Sequence, residues 1–254
     1  MAQRLDRVLS WEGCFNVRDV GGYATDAGVC TRWRRLVRAD NLHRLTPAGC
    51  VALVDYGVRT VIDLRAPFEL RIDPSPFATG PALPGAPAYL HLPVLDRDGC
   101  GRTVAAAVDA APTVEAIYEL LLEQCRDQIG VVISAIASAP DGGVVVYCHA
   151  GKDRTGLIVA LVLAVAGVRR RVIARDYALS DRHLPPLYER QLRHERDAEK
   201  RAALARQLFS PLNEARSRTT LANLEARHGS ITQYLRSAGV AQGDLEWLRA
   251  RMGC

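Results

Sequence analysis

The stretch that decides the fold is Cys148-His149-Ala150-Gly151-Lys152-Asp153-Arg154-Thr155-Gly156. It lies between two apolar runs, Val144 to Tyr147 and Leu157 to Ala166. The first run is short and β-branched, which predicts a buried strand, whereas the second has the length and the Leu and Ala content of a helix. The sequence therefore predicts a strand, a loop and a helix, with a cysteine placed just before the helix begins.

The start of a helix is a favourable place for a reactive cysteine. The N–H groups of the first turn have no partner within the helix, and the helix dipole adds partial positive charge there. Such a site binds anions and stabilises a thiolate. Arg154 adds a permanent charge and a planar set of donors that fits a phosphate dianion. We therefore predict that Cys148 is a nucleophile in an anion-binding loop.

Strands and helices alternate outward from this stretch. A helix is predicted from Thr46, which can cap it, to Tyr56, and it should end at Gly57. Strands are predicted at 58–64 and 89–94, and a long helix at 113–139 with a break near Gly130. The alternation predicts an α/β fold, a central mostly parallel sheet flanked by helices, with the loop at the carboxyl end of a strand.

The C-terminal half is charge-dense from 169 to 227 and helical in pattern. Breaks are predicted at Pro185-Pro186 and at Ser210-Pro211. We expect a helical lid at approximately 182–220, which would cover the pocket and guard the thiolate from oxidation. With a small closing unit at 231–252, the whole chain, 1–254, is predicted to be a single domain.

Composition excludes several classes of function. The net charge of +5 is mild and widely spread, so no nucleic-acid partner is expected. Seven cysteines at irregular spacing, without a Cys-x-x-Cys pair, predict neither a disulfide framework nor a zinc site and favour a reducing compartment. The N-terminus has charges and no apolar core of a signal peptide, and the run 157–168 is too short to span a bilayer. We expect a cytoplasmic protein without stable membrane insertion; the sequence leaves its oligomeric state open.

The loop resembles that of the cysteine-dependent protein tyrosine phosphatases, above all the bacterial tyrosine/serine and lipid phosphatase branch with a Cys-x-x-Gly-Lys-Asp-Arg-Thr-Gly loop. Four further segments are similar to motifs of that family: Asn16 to Tyr23, Val37 to Asp40, Gly57 to Arg65 together with Glu69, and Gly229 to Leu235. Two positions depart from the pattern, since Tyr147 stands where the family often has His and Val17 where it has Phe.

The resemblance implies a phosphotyrosine-phosphatase-like fold and a two-step reaction. Cys148 would attack phosphorus, and water would hydrolyse the cysteinyl-phosphate. The N–H groups of 149–154 and the Arg154 fork would hold the phosphoryl oxygens, without a metal or cofactor. In this branch the loop aspartate, here Asp153, is the usual proton donor; Asp96 and Asp98 are the alternatives.

The resemblance also implies a set of substrate-binding residues. Lys152 can meet a second phosphate, which in this branch accompanies activity on phosphoinositides, or it can point to solvent. Thr155 can hydrogen-bond the thiolate, and Gly151 lets the backbone approach an anion. Asp63 and Arg18 are weaker candidates, because Asp63 can instead pair with Arg65 or a loop amide and Arg18 can form an ordinary salt bridge. The predicted substrate-binding set is His149, Ala150, Gly151, Lys152, Thr155, Asp63 and Arg18.

We consider four functions for a protein with this loop sequence. The first is a phosphatase of phosphotyrosine or phosphoserine proteins or of phosphoinositides, and the alternative is a small-molecule phosphatase acting on a nucleotide, sugar or inositol phosphate. A sulfurtransferase of the rhodanese kind is disfavoured by Thr155-Gly156 after the arginine. An inactive phosphate-binding module is disfavoured because Cys148, Asp153 and Arg154 are all present.

Overall fold

The strand before the cysteine lies at the centre of the sheet. The computed structural model describes residues 6–78, 85–96, 101–209 and 214–253. Within them, five strands lie in the order β1-β2-β5-β3-β4, with β1 antiparallel to β2 and the other pairs parallel. The strands are β1 (Arg18–Asp19), β2 (Leu36–Ala39), β3 (Val58–Asp63), β4 (Ala88–His91) and β5 (Gly143–Tyr147). The predicted α/β class with a mostly parallel sheet is confirmed.

Helices cover the sheet on both sides. Thr46 caps the first of them by accepting a hydrogen bond from the N–H of Gly49, and Gly57 with φ +98° follows its end, as predicted. The helices are α1 (Pro47–Asp55), α2 (Pro67–Ile72), α3 (Arg102–Asp109), α4 (Val114–Gln124), α5 (Arg126–Ser138), α6 (Asp153–Val165), α7 (Arg170–Ala178), α8 (Ser180–His183), α9 (Pro185–His194), α10 (Ala198–Leu208), α11 (Glu214–His228), α12 (Ile231–Ser237) and α13 (Gln242–Met252).

The predicted helix at 113–139 is divided into two helices, but the division does not lie near Gly130, where the sequence analysis placed it. Helices α4 and α5 meet at Cys125, whereas α5 continues through Gly130. A Cβ at Gly130 would lie 1.9 Å from the carbonyl oxygen of Ala238, so glycine permits close packing against the end of α12. The predicted break near Gly130 was wrong for this reason. The break at Pro185 is confirmed, and Ser210-Pro211 lies outside the described residues.

Strand β5 is buried on both faces. Val144 and Val146 belong to a core shared with α4, α5 and α6, while Val145 and Tyr147 belong to a second core on the opposite face. A strand covered on both faces has no polar alternation, which explains its continuous apolar run. Since β5 lies between β2 and β3, the chain leaves it at the middle of the sheet's carboxyl edge.

A third apolar cluster joins α9 and α10 to the loop after β5. Leu184, Leu187 and Tyr188 are buried there, with Phe15, Ala150 and Leu208 packed against them. Residues 214–220 begin α11, which packs against α7 and α4. That approximately 182–220 forms a lid stays a prediction. No helix within the described ranges is long and apolar enough to cross a membrane.

Candidate active site

The predicted loop connects β5 to α6. Cys148 directly follows β5 and is 3% exposed, and α6 begins at Asp153. Both Lys152 and Arg154 therefore lie at the start of α6, one on each side of Asp153. The turn brings the predicted nucleophile to the positive end of a 13-residue helix.

The loop's carbonyl groups point away from its inner side. Three consecutive carbonyl oxygens accept hydrogen bonds from the N-terminal part of the chain: His149 O from Asn41 N (3.0 Å), Ala150 O from Asn16 Nδ2 (3.0 Å) and Gly151 O from Arg38 Nη2 (2.7 Å). In a trans peptide the following N–H points opposite to the carbonyl. The N–H groups of residues 150–152 are therefore directed to the inner side, where successive amides form an anion-binding concavity.

Gly151 is required by the turn itself. Its φ is +64°, and a Cβ would lie 2.3 Å from the carbonyl oxygen of Ala39 at the end of β2. Glycine is needed at this position because the backbone lies close to the neighbouring strand β2. The sequence had suggested a different reason, contact with an anion, which stays a prediction. At Gly156 a Cβ would lie 3.2 Å from the Tyr177 ring, so this glycine permits α7 to pack tightly on the start of α6.

A buried group of charged side chains, here called the ionic frame, supports the loop; it is formed by Arg18, Arg38 and Asp176. Asp176 of α7 accepts from Arg18 Nε (3.0 Å) and from Arg38 Nη1 (2.6 Å), and all three side chains are buried. Burial raises the pKa of Asp176, but the two arginines lower it further, so its pKa lies well below the usual range. Arg18 also donates to Asn16 Oδ1 and Ser180 Oγ. Its donors are thus used within the frame, and its position favours the alternative salt-bridge role over contact with substrate.

Arg154 is held by a carboxylate that sequence reasoning did not assign. Its Nη1 and Nη2 donate to Glu69 Oε2 (2.5 Å) and Oε1 (2.9 Å), and Glu69 also accepts from the N–H of Ala66 at the start of α2. Burial raises the pKa of Glu69, but the hydrogen bonds and charge of Arg154 lower it below its ordinary value. The carboxylate stays ionised and fixes the plane of the guanidinium, which is the geometry that bidentate phosphate binding needs.

Asp153 faces a cavity of about 310 Å³ beside the loop. Its Oδ1 accepts a hydrogen bond from the hydroxyl of Tyr118 (2.5 Å). Lys152 and Arg154 also line the cavity, whose remaining wall is largely aliphatic: Leu95, Val108, Val114, Ile117 and Leu121. Among the alternative acids, Asp96 is an exposed residue next to Leu95, and Asp98 lies outside the described residues.

Two other predicted residues are buried in different surroundings. Thr155 lies in the first turn of α6, and its hydroxyl has no hydrogen-bond partner in the described part of the chain, so it is available to a thiolate. Asp63 accepts from Arg65 Nη2 (2.7 Å), the N–H of Arg65 (3.0 Å), and the hydroxyls of Tyr89 (2.9 Å) and Tyr147 (2.5 Å). These contacts favour the alternative in which Asp63 is structural, and they show where the hydroxyl of Tyr147 is bound.

Helix α9 lies against the loop at two polar positions. Gln191 donates to Nε2 of His149 at 2.7 Å. Burial and the charge of Arg154 lower the pKa of His149, which keeps its ring neutral and able to accept this bond. The ammonium of Lys152 lies 5.8 Å from the centroid of the Tyr188 ring. Helix α9 thus contacts the loop at His149 and at Lys152.

The residues that support the loop differ in how clearly the sequence pointed to them. Asn16, Arg38 and Glu69 lie in segments similar to family motifs, so a role near the loop could have been inferred for them. Asp176 is one charge in a charge-dense stretch, and Tyr118 fits the apolar pattern of α4. Only the tertiary fold brings these two to the loop.

The positive charge of the site comes from side chains and amides. In residues 6–78, 85–96, 101–209 and 214–253, no group of three or more His, Cys, Asp or Glu side chains could hold a metal ion. Arg154 and Lys152 supply the cationic groups at the cavity. That catalysis needs no metal or cofactor stays a prediction.

Comparisons with known proteins identify the family to which this sequence is similar. The sequence profile of the tyrosine phosphatase family matches residues 9–253. A tyrosine-protein phosphatase of Nostoc commune is 30% identical over 228 residues, covering 85% of this chain and 74% of the relative. A triple specificity protein phosphatase of Mycobacterium tuberculosis is 29% identical over 275 residues, covering 93% of this chain and 96% of the relative.

Proposed function

Since the chain belongs to the tyrosine phosphatase family and is a protein-tyrosine phosphatase, we propose that it hydrolyses phosphomonoesters through a cysteinyl-phosphate on Cys148. The observation that carries this proposal is the position of Cys148 in the turn between β5 and α6. The amides of this turn point inward, and Glu69 holds Arg154 at the start of the helix. These groups form a nucleophile with a preformed site for a phosphoryl group.

The first step forms the S–P bond and breaks the ester P–O bond. The Cys148 thiolate attacks phosphorus in line, the inward amides and Arg154 hold the three equatorial oxygens, and Asp153 gives its proton to the leaving oxygen. The products of this step are a cysteinyl-phosphate, the neutral alcohol or phenol, and the Asp153 carboxylate. Thr155 can donate to the sulfur when it becomes a thiolate again.

The second step restores the enzyme. Water attacks the phosphorus, its proton passes to the Asp153 carboxylate, and the S–P bond breaks to release phosphate and the thiolate. Acid quench during turnover, followed by mass spectrometry of the peptide that contains Cys148, tests for the intermediate. We expect a phosphate adduct on Cys148; turnover with an unmodified peptide would contradict the proposal.

We propose phosphotyrosine and phosphoserine proteins or phosphoinositides as substrates. Two observations support a broad range: Lys152 adds a second cation beside Arg154, and one relative is named a triple specificity protein phosphatase. The second candidate is a small-molecule phosphatase for nucleotide, sugar or inositol phosphates, which would use the same chemistry. A panel of phosphopeptides, phosphoinositides and sugar phosphates, compared by kcat/KM, separates the two.

Asp153→Asn should slow substrates with poor leaving groups. An amide cannot give up a proton, and general acid catalysis typically contributes about 10²–10⁴-fold. We expect a loss of roughly 10²-fold in kcat for phenyl phosphate and a much smaller loss for 2,4-dinitrophenyl phosphate, whose phenolate leaves unaided. Asp96→Asn and Asp98→Asn are the matched controls; the acid is reassigned if either of them, and not Asp153→Asn, shows this dependence.

We propose that α9 and α10 form a lid that shields Cys148 from oxidants. Tyr188 is buried in the cluster that joins α9 to Ala150 of the loop. Tyr188→Ala should weaken this contact and speed inactivation by hydrogen peroxide several-fold, because thiolate oxidation follows exposure. Glu189→Ala, at an exposed position of the same helix, is the control. Equal inactivation rates in the wild type and both variants would show that α9 does not protect the thiol.

A further inference from the structure

Two buried tyrosines connect Asp153 to the helical layer behind the loop. Tyr118 of α4 and Tyr177 of α7 are 1% and 4% exposed, with their rings edge to face. Their hydroxyl oxygens lie 2.6 Å apart, and the Tyr118 hydroxyl lies 2.5 Å from Asp153 Oδ1. The proposed mechanism uses neither hydroxyl, although both are buried hydrogen-bonding groups next to the reacting side chain.

The acceptor at one end fixes the direction of this chain of hydrogen bonds. The Tyr118 hydroxyl donates to Asp153 Oδ1. A hydroxyl group has one proton to donate. Since the proton of Tyr118 is directed to Asp153, the Tyr118 oxygen accepts from the hydroxyl of Tyr177.

We propose that Tyr118 and Tyr177 are positioning residues that determine which oxygen of Asp153 carries the transferred proton. The inference rests on the proposed role of Asp153 as general acid. Because Oδ1 receives the hydrogen bond from Tyr118, the proton of the neutral carboxyl group resides on Oδ2. The carboxyl is held in one orientation, beside the cavity that Asp153 and Tyr118 line together with Arg154.

The proton balance follows from this arrangement. In the first step Oδ2 loses its proton to the leaving oxygen, and the new carboxylate keeps the hydrogen bond from Tyr118. In the second step Oδ2 takes a proton from the attacking water. Burial and the charge of Asp153 raise the pKa of Tyr118 well above its usual value, so its hydroxyl remains a donor in both steps. Tyr118 itself neither gains nor loses a proton over the cycle.

Tyr118→Phe tests the proposal, because it removes the hydroxyl and retains the ring. We expect kcat to fall roughly 10-fold for phenyl phosphate and less than about 2-fold for 2,4-dinitrophenyl phosphate, a part of what general acid catalysis contributes. The difference between the two losses is a readout that a merely structural defect would not produce, because a misfolded site slows both substrates alike. Tyr177→Phe should change the rates on the two substrates in the same direction and by less.

Two further variants separate the possible causes. Tyr234→Phe is the matched control, since Tyr234 is also fully buried and its hydroxyl donates to Leu122 O (2.7 Å) away from the loop. Asp153→Asn combined with Tyr118→Phe should be no slower on phenyl phosphate than Asp153→Asn alone. An equal loss on both substrates in Tyr118→Phe and in Tyr177→Phe overturns the positioning role. If Asp153→Asn itself shows no leaving-group dependence, the acid assignment fails and this inference fails with it.

Discussion

Cys148→Ser is expected to lower kcat for p-nitrophenyl phosphate by about 10⁶-fold, the size of effect seen when an enzyme loses its nucleophile. Serine differs from cysteine by one atom, so the buried position after β5 should be retained. Its hydroxyl remains un-ionised near neutral pH, however, and neither the amides of the loop nor Arg154 can make it a comparable nucleophile. The measurement is the steady-state rate of the two purified proteins under the same conditions.

The control must distinguish lost chemistry from lost structure. Cys125 is another buried, free cysteine, at the junction of α4 and α5. Cys125→Ser should therefore retain wild-type activity within a few-fold. Cys148→Ser should still bind a phosphotyrosine peptide in equilibrium dialysis, because the amides and Arg154 remain in place. A Cys148→Ser protein that retains more than a few per cent of activity would exclude the cysteinyl-phosphate mechanism.

Arg154→Lys is expected to lower kcat/KM by about 10³-fold, within the range measured for groups that stabilise transition-state charge. Lysine keeps the charge but has no planar fork, so it cannot form bidentate hydrogen bonds with Glu69 or with a phosphoryl group. Arg175→Lys on α7 is the control, because that side chain is 69% exposed. A loss of less than 10-fold for Arg154→Lys would show that charge alone suffices.

Glu69→Gln tests the bidentate pair between Glu69 and Arg154 without changing the guanidinium group itself. The amide can accept one hydrogen bond from Arg154 but not the bidentate pair, so the orientation of the guanidinium is less restricted. The loss in kcat/KM should be smaller than that of Arg154→Lys and should lie mainly in kcat, since the cation itself remains. An unchanged kcat in Glu69→Gln would show that the loop alone orients Arg154.

The sequence predicted those features that depend on local pattern. The β-branched run before Cys148 predicted β5, and the composition of 157–166 predicted α6, because burial on both faces leaves a continuous apolar signal. The break at Gly130 was predicted wrongly, because glycine at that position permits close packing against Ala238, which lies more than 100 residues later in the chain. A glycine that ends a helix and one that permits close packing look alike in a sequence.

The residues of the candidate site also fall into two groups, those that the local sequence predicted and those that only the fold brings to the loop. Cys148, Asp153 and Arg154 lie close together in the chain, so the loop sequence, together with the strand before it and the helix after it, predicted a phosphate-binding loop. Asp176 and Tyr118 reach the loop only through the packing of α7 and α4. Nothing in the local pattern of either helix marks these positions, because a buried carboxylate and a buried hydroxyl are recognisable only by their partners.

The ionic frame has a consequence for the order in which the protein becomes active during translation. Asn16 contacts a carbonyl 134 residues further along, and Arg18 pairs with a carboxylate 158 residues further along. A nascent chain that has just exposed Cys148 still lacks Asp176, which holds Arg38, the donor to the carbonyl of Gly151. If the frame activates the thiol, as the proposed mechanism requires, Cys148 emerges from the ribosome before it can react, and its reactivity is delayed until most of the domain has been synthesised.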